Sequence, residues 1–290
     1  MVNGAAMVLR KSKHGIGFIR AIAILSGLMA WPAQSAEPIP IFDTHVHYSE
    51  SAWAEYGPAD IEKLLDAAGV GKALVSSTPD DGTLRLSRHN PKRFIPVLRP
   101  YHQGFNASNW AAKGEIVAYL ESRLAKGDYR GIGEFHLPMI NAADRPQLLK
   151  VTNMAVRRKI PLHIHSDAGP IRELFMMNPE IRILWAHAGM LEGPDVVGEM
   201  LAAYPGLSTE VSFRSADISP DGTHIDPDWR TLLDKFPDRF MIGSDTYITT
   251  RWDEYPGLIA EHRSWLKALP EKSQRMIGFE NAERWFGGGN

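Results

Sequence analysis

Apolar residues recur in short runs along this chain, and between the runs they recur at helical spacing. Eight runs read as strands: Ile41–His47, Ala73–Ser76, Phe94–Arg99, Gly131–His136, Pro161–His165, Ile181–His187, Leu207–Ser212 and Phe240–Asp245. Most of the stretches between them read as helices: Ala59–Ala68 with a stop at Gly69, Glu115–Ala125, Arg145–Arg158, Ile171–Met177, Asp195–Ala203 and Asp228–Lys235. Glu261–Leu269 and Gln274–Phe286 supply closing helices. Alternating strand and helix implies parallel strands, because a parallel neighbour needs a long crossover. Eight such units in about 250 residues predict a closed (β/α)8 barrel, an α/β fold of the TIM type. Two irregular stretches, Tyr101–Ser108 and Phe213–Pro227, follow the third and seventh strands and are expected on the barrel's C-terminal rim.

The first residues do not share this pattern. Arg10, Lys11, Lys13 and Arg20 stand without an acid, the apolar run Ala21–Trp31 follows, and small residues surround Ser35 and Ala36. That order predicts a secretory signal peptide over 1–36, cut after Ser35 or Ala36, with a periplasmic or secreted product. The apolar run is shorter than the roughly 20 residues of a membrane span, so no stable membrane anchor is expected. His14 falls in this segment, and residues 37–290 are expected to form the single barrel domain. The chain has no cysteine, which removes disulfides and thiolate ligands and leaves His and carboxylate for any metal site. The net charge of −2 becomes more negative once the basic leader is removed, so no nucleic-acid partner is expected.

Candidate chemistry collects at the strand ends. Side chains on a strand alternate faces, so Asp43, His45 and His47 are expected to point the same way at the end of the first strand. Glu134 ends the fourth strand, His163 and His165 the fifth, His187 the sixth and Asp245 the eighth. A barrel brings these ends to one rim. The candidate metal ligands are therefore His45, His47, Glu134, His165, His187 and Asp245, a set of nitrogens and carboxylate oxygens suited to Zn²⁺, with Mn²⁺ or Fe²⁺ as alternatives. Asp43 and His163 lie one layer deeper and are expected to orient the ligands. Trp185 is placed on the inward face of His187. His89, His224 and His262 read as surface residues. No Gly-x-Ser-x-Gly elbow and no phosphate-binding Gly-x-x-x-x-Gly-Lys loop is present, which disfavours serine hydrolases and nucleotide-driven enzymes.

The ordered set of His45-x-His47, His165, His187 and Asp245, with Gly243-Ser244-Asp245 and the closing Glu280-Asn281-Ala282-Glu283-Arg284, resembles the amidohydrolase superfamily, in particular its amidohydrolase-related branch. The similarity spans 39–287. Many members carry a carboxylated lysine on strand four that bridges two metals. This chain has Glu134 in Gly-Ile-Gly-Glu, which resembles the strand-four glutamate of TatD-type metal hydrolases. Other members bind a single metal and need no bridge, so one or two ions per chain remain open.

The resemblance implies a metal-dependent hydrolase that activates water to cleave an amide, an ester or lactone, or a phosphoester of a small molecule. Asp245 is expected to move protons. His187 is expected to hold a second ion or to polarise the scissile group. Metal-dependent decarboxylases of aromatic or unsaturated acids use a similar set, so a lyase is the alternative, and an inactive binding barrel is a third reading. Arg99, His136 and Arg214 are candidate substrate contacts, with Arg251 nearby, and the arginines suggest an anionic substrate. A homo-oligomer is compatible with all of these readings.

Overall fold

The computed structural model describes residues 39–287. The expected signal peptide and His14 lie outside the described residues. Eight parallel strands follow one another around a barrel: β1 (Ile41–Val46), β2 (Val70–Val75), β3 (Phe94–Pro96), β4 (Ile132–His136), β5 (Leu162–His165), β6 (Ile183–Trp185), β7 (Leu207–Glu210) and β8 (Phe240–Met241). Continuous ladders join β1 to β3 and β4 to β8. Single parallel bridges, Leu98 with Ile132 and Asp43 with Ile242, close the two remaining gaps. Across them, Thr44 N donates to Ile242 O at 2.8 Å and Leu98 N to Gly131 O at 3.0 Å. The α/β barrel of the TIM type expected from the sequence is therefore the observed fold.

The outer layer consists of α1 (Pro58–Ala68), α2 (Asp81–His89), α3 (Glu115–Leu124), α4 (Arg145–Arg158), α5 (Ala168–Met177), α6 (Pro194–Ala203), α7 (Ser215–Ile218), α8 (Pro227–Lys235), α9 (Arg251–Leu266) and α10 (Glu271–Arg275). Local signals set several ends. Pro58 opens α1, and Gly69 closes it in the left-handed conformation at φ 67°. Asp226 caps α8 by accepting from the backbone N–H groups of Asp228 and Trp229. Helix α7 forms inside the stretch Phe213–Pro227 expected to be irregular, and α2 and α9 also differ from expectation. The segment of α2 offers only Leu84 and Leu86 as buried large apolar residues, too few for a clear periodic signal. Helix α9 begins ten residues before Glu261 and runs through Pro256, because Trp252, Tyr255, Ile259 and Trp265 bury a continuous face.

The barrel interior is filled at its lower end by Phe42, Leu74, Val97, Leu184 and Met241, packed against Ala282 and Phe286 of the C-terminal segment. That segment is not the single helix expected over 274–286. It continues from α10 into two π-type turns, and Asn281 Nδ2 anchors it by donating to Phe240 O and Pro237 O, both at 2.8 Å. The larger apolar core lies between the strands and the helices. Among the described residues, no helix is long and apolar enough to cross a membrane.

Candidate metal centre

The upper end of the barrel is polar. His45 and His47 from β1, Glu134 from β4 and Asp245 after β8 bring four donor atoms together. His45 Nε2 and His47 Nε2 are 3.0 Å apart. Glu134 Oε2 lies 3.5 and 3.3 Å from them, and Asp245 Oδ1 3.4 and 3.2 Å. Donors about 2.1 Å from one ion are separated by about 3.4 Å in a tetrahedron and about 3.0 Å in an octahedron. Each carboxylate oxygen stands at coordination-shell distance from both imidazole nitrogens.

A second group shares Glu134 with the first. Glu134 Oε1 faces His165 Nδ1 at 3.0 Å and His187 Nε2 at 3.8 Å, and the other oxygen of Asp245 lies 3.8 Å from His187 Nε2. His187 Nε2 and Asp245 Oδ1 are buried without a hydrogen-bond partner among the described residues. Each costs free energy unless something else meets it. The residues fit a divalent cation at the first group and offer donors for another at the second.

The far sides of the rings explain their orientation. His45 Nδ1–H donates to Glu210 Oε1 at 3.0 Å and His47 Nδ1–H to the carbonyl of Ser76, while His187 Nδ1 shares a hydrogen bond of 2.7 Å with Ser212 Oγ. The carboxylate and the carbonyl only accept, so in the neutral rings of His45 and His47 the proton sits on Nδ1 and the Nε2 lone pair turns inward. Glu210 was not foreseen. It is fully buried and also accepts from the backbone N–H groups of His187 and Ser212, both at 2.7 Å. Its signal was present in the alternation of Ser208, Glu210 and Ser212 along β7, polar residues on a face that should otherwise fill the barrel. Gly243 makes room for it, because a Cβ there would lie 2.1 Å from Glu210 Oε2. Gly133, at φ 138°, likewise has no space for a side chain beside His163 O.

Charge balance favours a cation. Burial opposes the charge of Glu134, yet His45, His165 and His187 hold its carboxyl well below the usual range. Burial opposes Asp245 too, but His45 and His47 hold it down to about 2. Burial also disfavours a charge on His45, and there Asp245, Glu134 and Glu210 outweigh it and push the imidazole well up. Burial and the charge of His45 push His163 well down. Its ring lies 4.6 Å from that of His45, below the candidate ligands, and its Nε2 has no partner among the described residues.

Several sequence expectations need correction. Asp43 does not orient an imidazole. Its carboxylate accepts from the backbone N–H groups of His45 and Ser244 and from Tyr255 OH on α9, so it faces the helix layer. A register irregularity between Asp43 and Val46 resets the alternation, which is why Asp43 does not share the face of the two histidines. Trp185 is also on the other side from His187. It packs in the outer core and donates to Ser166 O, while His187 turns inward from a left-handed backbone at φ 56°. His262 is buried on α9, where Nε2–H donates to Gly243 O at 2.9 Å.

The arginines expected at the substrate are engaged by protein oxygens. Arg99 donates from Nε to Glu134 O and from Nη2 to Glu134 Oε2, both at 3.0 Å. Arg214 is buried and donates to the carbonyls of His187, Met190 and Glu192 while pairing with Asp217. Arg251 donates to Asp245 O and Ser244 O. Their planar forks are used to hold the loops that carry the centre. His136 keeps its place at the mouth. Its ring stacks 4.4 Å from His165, and both line a cavity of about 330 Å³ with Ala107, Ser108, Pro138, Ser166 and Asp167.

Known proteins share this architecture. A protein of Pseudomonas putida assigned as a 2-pyrone-4,6-dicarboxylic acid hydrolase superposes with a TM-score of 0.59 at 17% identity, over 86% of this chain and 98% of that one. A lactonase from Listeria monocytogenes gives 0.60 at 13% identity, over 86% and 95%. The phosphotriesterase homology protein of Escherichia coli, with phosphate in its active site, gives 0.60 at 13%, over 86% and 99%. At these identities the likeness is one of fold. A search of curated protein sequences finds no match. A family profile described as amidohydrolase matches residues 97–288, most of the barrel from the end of β3 onward. The chain belongs to the amidohydrolase family.

Proposed function

We propose that this protein is a metal-dependent hydrolase of a small molecule, in which Glu134, like the strand-four glutamate of TatD-type hydrolases, would serve as a metal ligand, with one carboxylate oxygen turned to each of two donor groups. The observation that carries this reading is the donor spacing: two imidazole nitrogens 3.0 Å apart, a carboxylate oxygen of Glu134 and one of Asp245 each 3.2–3.5 Å from both, and the second oxygen of Glu134 turned to His165 and His187. The nitrogen-rich set suits zinc first, then manganese or iron. When bound, such an ion lowers the pKa of water from 15.7 to about 7 and polarises the bond to be cleaved.

The chain's own residues supply the rest. Asp245 is unprotonated at neutral pH, and Oδ2 is turned toward His187, so it can take a proton and return it to the leaving group. His187 stands opposite, its ring fixed by Ser212, and serves the second ion or the scissile group. Arg99 holds Glu134 from behind. His136 contacts the substrate as it enters through the cavity beside His165. Ester, lactone and phosphoester bonds go first in the screen, since the neighbours include a lactonase and a protein holding phosphate; amides follow. We also propose export, from the order of residues 1–36, to be read by intact mass of protein from a cell-envelope fraction.

The test is metal analysis of the purified protein together with a substrate screen, repeated on two variants. His45→Ala should lose metal and activity together. Asp245→Asn should keep most of the metal and lose about 10²-fold or more of kcat. Near-normal kcat in Asp245→Asn refutes the mechanism, and release of carbon dioxide from a carboxylic acid in place of hydrolysis assigns the site to the lyases.

A further inference from the structure

We propose that the substrate presents an uncharged, flat apolar group, bound against Phe213 and Tyr247 at the mouth of the centre. The inference rests on the hydrolase reading above and gives it a substrate class.

The first observation is where exposed apolar side chains lie. Met139, Leu191, Phe213, Tyr247 and Ile248 are large, apolar and exposed, and they sit on the loops that leave β4, β6, β7 and β8. Among the described residues only Leu149 and Met176 share that character elsewhere. Exposed apolar surface collected on one face marks a binding site more often than chance exposure does.

The second is the state of Phe213. Its backbone is left-handed at φ 63°, a conformation that costs a bulky residue about 1–2 kcal/mol. The ring nevertheless stays 43% exposed. It stands edge-on to His187 at 5.6 Å and meets Tyr247 at 6.1 Å. The guanidinium of Arg251 covers it at 4.3 Å, fixing its plane, while the same arginine holds the backbone of Asp245. A strained backbone that keeps an apolar ring in water beside candidate ligands is stable only because its surroundings impose it. Its use is to offer a flat surface next to the reacting atoms.

The third is charge. Of the arginines at this end of the barrel, Arg99 and Arg251 give Nε and Nη2, and Arg214 its Nη1 and Nη2, to protein oxygens. Asp167 and the first acids of α9, Asp253 and Glu254, are exposed. An anion would have to displace the bonds of Arg99 or Arg251 to be gripped by the Nε and Nη2 donors of one guanidinium. The facing wall of the cavity is built of small uncharged side chains, Ala107, Ser108 and Pro138. These features together oppose the anionic substrate that the arginines suggested from sequence.

The test uses three probes on the metal-replete protein: 1-naphthol, which is flat and uncharged; cyclohexanol, which is uncharged but not flat; and 4-hydroxynaphthalene-1-sulfonate, which is flat and anionic. Calorimetric titration should show 1-naphthol binding about tenfold tighter than either of the others. Phe213→Leu and Tyr247→Ala should each weaken it about three- to tenfold, with thermal melting confirming the fold. Equal or tighter binding of the sulfonate refutes the proposal, as does unchanged naphthol binding in the folded double variant. Parallel assays with 1-naphthyl acetate and ethyl acetate separate the two readings. Equal kcat/KM for both, without a naphthol preference, overturns the aromatic surface and leaves a hydrolase. A naphthol preference lost in the double variant, with no ester, lactone, amide or phosphoester turned over, supports the surface and overturns the hydrolase.

Discussion

Replacing Glu210 by Gln tests the architecture behind the centre without touching a candidate ligand. The carboxylate accepts from His45 Nδ1–H and His187 N–H on Oε1, and from Ser212 N–H on Oε2. Glutamine keeps the shape but turns one oxygen into a donor. If that were Oε1, two N–H groups would face it, so the amide group settles at Oε2 and leaves Ser212 N–H without an acceptor. A hydrogen bond to a charged group is worth about 1.5–3 kcal/mol, and the unmet buried donor raises the cost. The expected loss is about 2–3 kcal/mol, or roughly 5–10 °C in Tm for a domain of this size. His45 also loses the anion behind its ring, which should weaken metal binding about 10–100-fold. Thermal melting and titration against a competing chelator read the two effects separately. A variant with the parent's Tm and metal affinity refutes the assignment of Glu210 as the group that orients His45.

Three further outcomes are expected. Gly243→Ala should reproduce the Glu210→Gln phenotype, because its Cβ would sit 2.1 Å from Glu210 Oε2; unchanged chelator competition would show that the carboxylate has room to move. Glu134→Gln should lower metal content from about two ions per chain to about one and reduce kcat, measured by elemental analysis; full stoichiometry and activity would make Glu134 a bystander. Burial pushes His262 down from 6.5 to about 4, so the unfolded chain takes up its proton first and stability falls as pH drops from about 6.5 toward 4. At pH 5 that contribution is about 2 kcal/mol, and denaturant unfolding of His262→Gln should lack it; parallel pH profiles for the two proteins refute the assignment.

The barrel was legible because its two periods are strong. Helix α4 spans Arg145–Arg158 as expected, and the start of each strand was located to within a few residues. The strand ends were less legible. Alternation predicts a face only while the ladder is regular, and at the centre it is not. His187, Phe213 and Asp245 have left-handed backbones, and β1 slips register before its histidines. That local departure misplaced Asp43 and Trp185. The surroundings of the arginines were not legible either. Sequence shows a guanidinium near a rim but not whether carbonyls already occupy it, as they do for Arg214 and Arg251. Glu210 was missed because one acid among serines and threonines looks like an exposed strand face until the barrel closes around it.

The two single bridges that close the barrel have a mechanical meaning. They divide the cylinder into an arc of β1 to β3 and an arc of β4 to β8, each laddered within itself. His45 and His47 belong to the first arc, and Glu134, His165, His187 and Asp245 to the second. A cation held between these side chains would be a clasp across both joints, fastened where the backbone stitching is thinnest. The first arc offers only its two histidines, so the first donor group is complete, and the clasp would lock, only after both ends of the chain had met. Loss of the ion would then loosen the cylinder from its mouth along two lines while the apolar plug beneath stays shut. The barrel would come apart first at the place where it does its chemistry.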